Sequence, residues 1–499
     1  MVIKTTLEHA LKEGLALTFD DVRLKTGHSE VMPDNVNLES KFSKNIGLKI
    51  PIVSAAMDTV TEYKLAIELA KLGGIGVIHR NLSPEEQASQ VSKVKHHLNG
   101  LIDKPICVYE DESVSSVLLK IKEKGYSFLS FPVLSREGKL VGLVTGNDFD
   151  FCDNPSLKIS NIMSSQPYHG KEGMSIDEAY QKMRSEKKKS IPLKDKEGRV
   201  VGMYVFSDLK RIKTRSAENY NLDSNGQLRV AAAIGTGEEE IERASKLVEK
   251  KVDVVVIDTA HGDSKAVIDT LREIKKRYDI DVVVGNVSIG ESARRLVDNG
   301  ADGIKVGQGP GSICTTRIIA GIGRPQVSAI YDCYKAISDT NIPICGDGGI
   351  KNSGDITVAI GAGAHSVMMG GMLAGTEESP GEIYFYEGRQ WKLYRGMGSL
   401  GAMEESKSSR QRYLQSDAGK NRLIPEGIEG RIPYRGKLSD VVFQYVGGLR
   451  KGMGYVGAGT IEELRDKADF DRITNSGFLE SHPHSIKITK EAPNYPANT

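Results

Sequence analysis

The run VDVVVIDTA, residues 252–260, followed by VVVGNV, residues 282–287, decides the fold. Each is a short continuous apolar stretch, the pattern of a strand buried on both faces, and such strands belong to parallel sheets covered by helices. Outward in both directions the same kind of run recurs: PIVSAAM (51–57), GIGVIH (74–79), VAAAIG (230–235), GIKVG (303–307), IPICGDG (342–348) and SVMMGG (366–371). Amphipathic segments such as EEIERASKLVEKK and ESARRLVDNGA lie between runs and suit crossover helices. Eight βα units predict an α/β fold of the (β/α)8 TIM-barrel type. An open, doubly wound sheet is the alternative, because counting strands does not show that a sheet closes.

The chain has 499 residues, enough for two or more domains and one large core. Lys and Arg total 67 and Asp and Glu 66, a net charge of +1, so no global field exists to recruit nucleic acid or an anionic membrane. Small molecules and further copies of the chain are the expected partners. The opening MVIKTTLEHALKEGLALTFDDV lacks the apolar segment of a secretory signal, and no later stretch reaches membrane-span length, so a soluble cytoplasmic protein is expected. The five cysteines, Cys107, Cys152, Cys314, Cys333 and Cys345, include no CxxC pair, which argues against a disulfide framework and a structural zinc site.

The gap between the second and third runs is too long for a βα connection, and it contains a repeat. FPVLSREGKLVGLVTGNDF and SIPLKDKEGRVVGMYVFSDL superpose at an offset of 60, matching Pro132 with Pro192, Gly138 with Gly198, Gly142 with Gly202 and Asp148 with Asp208. A helix-like segment precedes each copy. Two such copies can bury their faces against each other, so residues 98–215 are expected to form an inserted domain, with repeats at 98–155 and 156–215. Residues 1–97 and 216–499 are then left to the barrel. The pattern resembles a tandem pair of CBS domains, which implies binding of an adenine or guanine nucleotide, with Asp148 and Asp208 at its ribose. Capping of the following helix explains either aspartate equally well.

Chemistry in a TIM barrel sits after the C-terminal ends of the strands, where GPGSICTTR (309–317) follows the sixth run. Its glycines leave backbone groups open to a ligand, and hydroxyls of Ser312, Thr315 and Thr316 surround a cysteine flanked by one apolar residue, Ile313. Cys107, Cys333 and Cys345 read instead as small core residues. GDGG (346–349) and MMGG (368–371) follow the seventh and eighth runs, where barrel enzymes commonly hold phosphate, and Asp347 suits a ribose diol. Together these features suggest a nucleotide 5′-phosphate.

GPGSICTTR, GIGRPQ, CGDGGI, MMGGMLAGT, YRGMGSLGAM, RQRY and PEGIEGRIPYRG, in this order and with the inserted repeat, resemble the inosine-5′-monophosphate (IMP) dehydrogenase family of the bacterial type. The likeness runs from LTFDDV (17–22) to GMGYVGAGT (452–460). It implies oxidation of IMP to XMP with NAD, the committed step of guanine nucleotide synthesis. Cys314 would attack C2 of the purine and carry a covalent thioimidate. A flap at about 399–430 would then hydrolyse it, with Arg412 as base beside Tyr413, and Thr316 and Glu426 as a second proton route. A neutral arginine runs against the ordinary chemistry of guanidinium and would require a water-poor site.

For IMP, the resemblance implies Ser312, Gly370 and Gly371 at the phosphate and Asp347, Gly348 and Gly349 near the ribose. Tyr394, Arg395, Gly396, Met397 and Gly398 would contact phosphate and base, with Ser54 and Glu426 close by. For NAD it implies Asp258, His261, Asn286, Gly307, Gln308, Gly309 and Tyr445, the last reaching into a neighbouring subunit. A potassium ion would be held by main-chain carbonyls of Gly309, Gly311 and Cys314 and, from another subunit, of Glu480, Ser481 and His482. A homotetramer follows, or an octamer when the CBS pair binds nucleotide. Two rivals stand beside this reading: GMP reductase, a sister enzyme without need of a hydrolytic flap, and a nucleotide-sensing regulator with an inert barrel. Arg412-Tyr413 and the intact set of Cys314, Thr316 and Asp347 weigh against them.

Overall fold

The computed structural model describes residues 4–98, 100–124, 128–213, 218–415 and 422–495. The chain forms two compact units, one of Met1–Lys95, Asn219–Asn221 and Leu228–Thr499, the other of His96–Glu218 and Leu222–Gln227. The domain boundary expected at 215/216, and residues 416–421 of the expected flap, lie outside the described residues.

The first unit is built on eight parallel strands: β1 (Ile52–Ser54), β2 (Ile75–Ile78), β3 (Ala231–Ile234), β4 (Val254–Asp258), β5 (Asp281–Val287), β6 (Gly303–Val306), β7 (Ile344–Asp347) and β8 (Ser366–Met369). Each falls within or across one of the eight apolar runs. The sheet closes, because β3 pairs with β2 through Ala231 and Val77 as well as with β4. That pairing decides for the barrel over the open sheet. Alternate residues of the strands, among them Ile75 and Val77, Ala231 and Ala233, and Val254 and Val256, fill the interior with Val53, Val283 and Met368. Full burial of each valine or isoleucine contributes roughly 1.5–3 kcal/mol. The other strand face is equally dry because helices cover it, which is why the runs show no polar alternation.

Closure fixes where the site must be. Asp258 ends β4, Asp347 ends β7, and Cys314 lies in the loop after β6, just before the short helix Thr316–Ile319. An antiparallel sheet of Tyr384–Tyr386, Arg389–Arg395 and Glu429–Pro433 carries, between its second and third strands, the helices Leu400–Glu405 and Lys407–Arg412.

In the second unit, Phe131–Leu134 pairs with Leu140–Val144 and Ser190–Lys194 with Val200–Val205. Both hairpins shift register at the equivalent step, between Val133 and Leu134 and between Leu193 and Lys194. Each copy has its own apolar core. Asp148 stands at the third position of the helix Gly146–Asp150, where its carboxylate accepts from the amide and hydroxyl of Thr145 at 2.7 and 2.8 Å in a capping box. Thr145, not the aspartate, is therefore the N-cap. Asp208 lies 3.6 Å from the Arg211 guanidinium. No helix among the described residues is long and apolar enough to cross a membrane.

Candidate active site

The loop after β6 is shaped by glycines that no other residue could replace. A Cβ on Gly307, at φ +151°, would lie 2.1 Å from the Asp347 carbonyl oxygen, and one on Gly309, at φ +81°, 2.5 Å from the Arg317 side chain. The loop is stitched to residues 426–428: the Thr315 amide donates to the Glu426 carbonyl at 2.9 Å and the Ile428 amide to the Ile313 carbonyl at 3.0 Å. Cys314 is thereby held between the barrel mouth and the segment returning from the flap. Its thiol donates to the Thr316 hydroxyl at 3.2 Å. Cys333 and Cys345 are fully buried, and burial pushes their thiols up, that of Cys345 to about 12. Cys107 is only half-buried, its thiol pushed up to about 11.

Cys314 and Thr316 line a cavity open to solvent, with Asp258, Asn286, Gly307, Gln308, Gly309, Gly311, Asp347, Gly348, Tyr394, Gly396, Met397, Arg412, Tyr413 and Glu426. At its floor stands a residue that sequence reading passed over. Lys305, in the middle of β6, is 2 % exposed and places its ammonium 2.9 Å from Asp258 Oδ1 and 2.6 Å from Asp347 Oδ2, beside the Asn286 side-chain oxygen. Asn286 also donates to Asp347 at 2.9 Å. One buried cation thus aligns the carboxylates that end β4 and β7. The available signal was a lysine inside an apolar strand, where an unpaired charge is intolerable. Lys305→Met is expected to lower the unfolding free energy by about 3–5 kcal/mol, because Asp347 loses its ion pair and Asp258 keeps only the one to Arg412. Urea unfolding measures this, and a loss under 1 kcal/mol would remove Lys305 from that role.

The flap helix Lys407–Arg412 delivers its last residue to the same carboxylate: the Arg412 guanidinium forms an ion pair with Asp258 Oδ2. The Arg412 carbonyl accepts from the Ala260 amide at 3.2 Å. Arg412 and Tyr413 are half-buried, and desolvation holds the guanidinium below its usual value and the phenol above its own. The Arg412 Nε has no hydrogen-bond partner among the described residues. Tyr413 packs on Gly398, where a Cβ would lie 2.5 Å from the ring. Glu426 is fixed by its amide, which donates to the Gly398 carbonyl at 2.9 Å.

Tyr394 is buried, and burial pushes its phenol up to about 12. A Cβ on Gly370 would meet its hydroxyl at 2.9 Å, and one on Gly371 the ring at 3.2 Å and the Ser312 hydroxyl at 3.3 Å. Ser312, Gly370, Gly371 and Tyr394 therefore converge into one small-walled cradle at the start of the helix Gly371–Ala374. Arg395 turns away to Asp58 and Glu405 at 2.8 and 2.6 Å. Ser54 is buried, accepting from Thr61 at 2.8 Å, and Gly349 packs on Phe19. Both support the site from outside the cavity lining.

His261 is exposed at the cavity edge, 3.4 Å from Gln308 Nε2. Tyr445 lies within the helix Leu438–Val456, buried, its hydroxyl donating to the Lys351 carbonyl of its own chain at 3.4 Å. Glu480, Ser481 and His482 end the helix Asn475–Glu480; His482 pairs with the Tyr495 hydroxyl at 2.8 Å, and none of the three lines the cavity.

A closed (β/α)8 barrel with a cysteine on a glycine-bound loop, in one cavity with two aspartates and an arginine paired to one of them, defines a barrel enzyme equipped for cysteine chemistry. Residues 16–484 match the IMP dehydrogenase / GMP reductase domain. Inosine-5′-monophosphate dehydrogenases of Aquifex aeolicus and Bacillus subtilis are 50% and 46% identical, covering 98% and 97% of this chain and 99% and 98% of theirs. A GMP reductase variant of Trypanosoma brucei, solved with guanosine 5′-monophosphate, superposes with a TM-score of 0.83 at 36% identity, over 95% of this chain and 98% of that one. The chain belongs to the IMP dehydrogenase / GMP reductase family, on its inosine-5′-monophosphate dehydrogenase branch, and is an oxidoreductase.

Proposed function

We propose that the chain oxidises IMP to XMP with NAD in two steps that share Cys314, dehydrogenation through a covalent thioimidate and then its hydrolysis. The observation that carries this reading is the meeting of the Cys314 loop, Asp258 and the flap arginine in one cavity. The thiolate of Cys314 adds to C2 of the purine, C2 gives up a hydride, and the C2–S bond remains. Bound NAD supplies the hydride acceptor. Asp347 holds the IMP ribose, and the cradle of Ser312, Gly370, Gly371 and Tyr394 holds its phosphate by backbone amides and hydroxyls. In the second step Arg412 takes a proton from water, which adds to C2 and expels the Cys314 sulfur; Thr316 and Glu426 form the second proton route.

Asp258, Gln308, Gly307 and Gly309 suit the dinucleotide ribose, but Asp258 is the partner of Arg412 when the flap is docked. With Lys305 on Oδ1 and Arg412 on Oδ2, the docked flap competes with the dinucleotide ribose for Asp258, so the flap enters after the reduced dinucleotide leaves. Such exclusion keeps hydride transfer and hydrolysis apart in time. A potassium ion would sit on carbonyls of Gly309, Gly311 and Cys314. Glu480, Ser481 and His482 would complete it from a second copy, which favours a tetramer of cytoplasmic subunits. The paired hairpins of the second unit, with their shared register shift, support a CBS pair that binds a nucleotide.

The test follows absorbance at the NADH band for purified protein with IMP, NAD and potassium, beside GMP with NADPH. NADH that grows only with IMP, and faster with potassium, is expected. NADPH consumed by GMP alone would move the assignment to the reductase, which Arg412-Tyr413 disfavours.

A further inference from the structure

We propose that Arg80, in the loop after β2, is a positioning residue that seats the flap arginine by binding the side chain of Gln411, its neighbour in the chain. This rests on the two-step reaction proposed above. Arg80 is 3 % exposed, and its Nη1 donates to Gln411 Oε1 at 2.6 Å. The other end of the same amide donates to the Thr236 carbonyl at 2.7 Å, so Gln411 is gripped on both sides. Gly235 makes the approach possible: a Cβ there would lie 2.3 Å from Arg80 Nη1 and 2.4 Å from Gln411 Oε1.

What remains to Arg80 without the flap is poor. Its nearest carboxylate oxygen, on Glu240, stands 3.7 Å away, and that glutamate also serves the Gly235 amide at 2.7 Å and Arg243 at 3.2 Å. The Arg80 Nη2 is buried with no hydrogen-bond partner among the described residues. Undocking the flap therefore takes from a buried cation its short neutral acceptor, and that penalty favours the docked flap. The next residue repeats the contact: Asn81 donates to the Ser409 hydroxyl at 3.0 Å and accepts from it at 3.1 Å. Arg80 and Asn81 thus hold Gln411 and Ser409, and Arg412 is carried to Asp258. Burial, and the like charge of Arg412, hold the Arg80 guanidinium down to about 10, which fits a site where the two cations share one low-dielectric pocket.

The test is a double-mutant cycle of Arg80→Met and Gln411→Met, read by the presteady-state NADH burst, the steady-state rate and hydrogen exchange of residues 400–412. Each single variant is expected to slow steady-state turnover about 10-fold, the effect of one charge-assisted hydrogen bond, with the burst rate within about twofold of wild type. The double variant is expected to be no slower than the worse single, and Arg80→Lys to recover part of the rate. Flap amides should exchange faster in both single variants. Steady-state rates within twofold of wild type, fully additive losses, or equal slowing of the burst would overturn the proposal. If Arg80→Met does not fold, Arg80→Lys takes its place in the cycle, because Gln411→Met alone also removes the bond to Thr236. A wild-type enzyme that forms no NADH from IMP would overturn the reaction instead, and the exchange of the flap amides would still report whether Arg80 seats it.

Discussion

Cys314→Ala is expected to lower turnover with IMP by at least about 10⁴-fold while IMP still binds. In the proposed reaction the thiol makes and breaks the bond to C2, and the hydroxyl beside it, Thr316 Oγ1 at 3.2 Å, is a far weaker nucleophile than a thiolate. Binding depends on other groups. In the proposed reading Ser312, Tyr394, Gly370 and Gly371 would hold the phosphate and Asp347 the ribose, while the sulfur's hydrogen bond goes to Thr316. IMP at 100 times its Kd should therefore still stabilise the variant by about 2.7 kcal/mol in thermal unfolding. Turnover within tenfold of wild type would end the covalent mechanism. Loss of IMP-dependent stabilisation would show instead that the sulfur supports the pocket.

The barrel was legible because a strand buried on both faces leaves a continuous apolar run, and eight of them survive a long insertion. Closure was not legible, since the pairing of Ala231 with Val77 joins runs on either side of that insertion. Cys314 stood out by its neighbours, and most of the residues assigned to the cavity by resemblance do line it. Lys305 did not stand out, because its charge is compensated by carboxylates on strands far away in the chain, and a periodicity has no term for such a partner. The same is true of Arg80 and Gln411, whose contact depends on the flap folding back over the barrel mouth. Tyr445 shows the converse: within one chain its helix buries it against Lys351, away from the cavity.

Arg412→Ala should separate the two steps. Hydride transfer needs Cys314, Asp347 and an Asp258 free of Arg412, so the burst of NADH is expected to remain within a fewfold of wild type. Hydrolysis loses its general base and should fall about 10²–10⁴-fold, leaving the covalent adduct as the accumulating form. In the proposed mechanism the residual rate would come from Thr316 and Glu426, and adding Glu426→Gln should depress it further. The pH dependence carries the sign. A base acts only when deprotonated, and burial lowers the Arg412 pKa, so the neutral guanidine is more accessible than in water and wild-type hydrolysis should climb with pH across the alkaline range. In Arg412→Ala that climb should flatten, because the group whose deprotonation produces it is gone. Single-turnover rates for hydride transfer and for decay of the adduct, measured from pH 6 to about pH 10, test both statements. Equal slowing of the two steps would remove Arg412 from water activation and reassign it to holding the flap on Asp258.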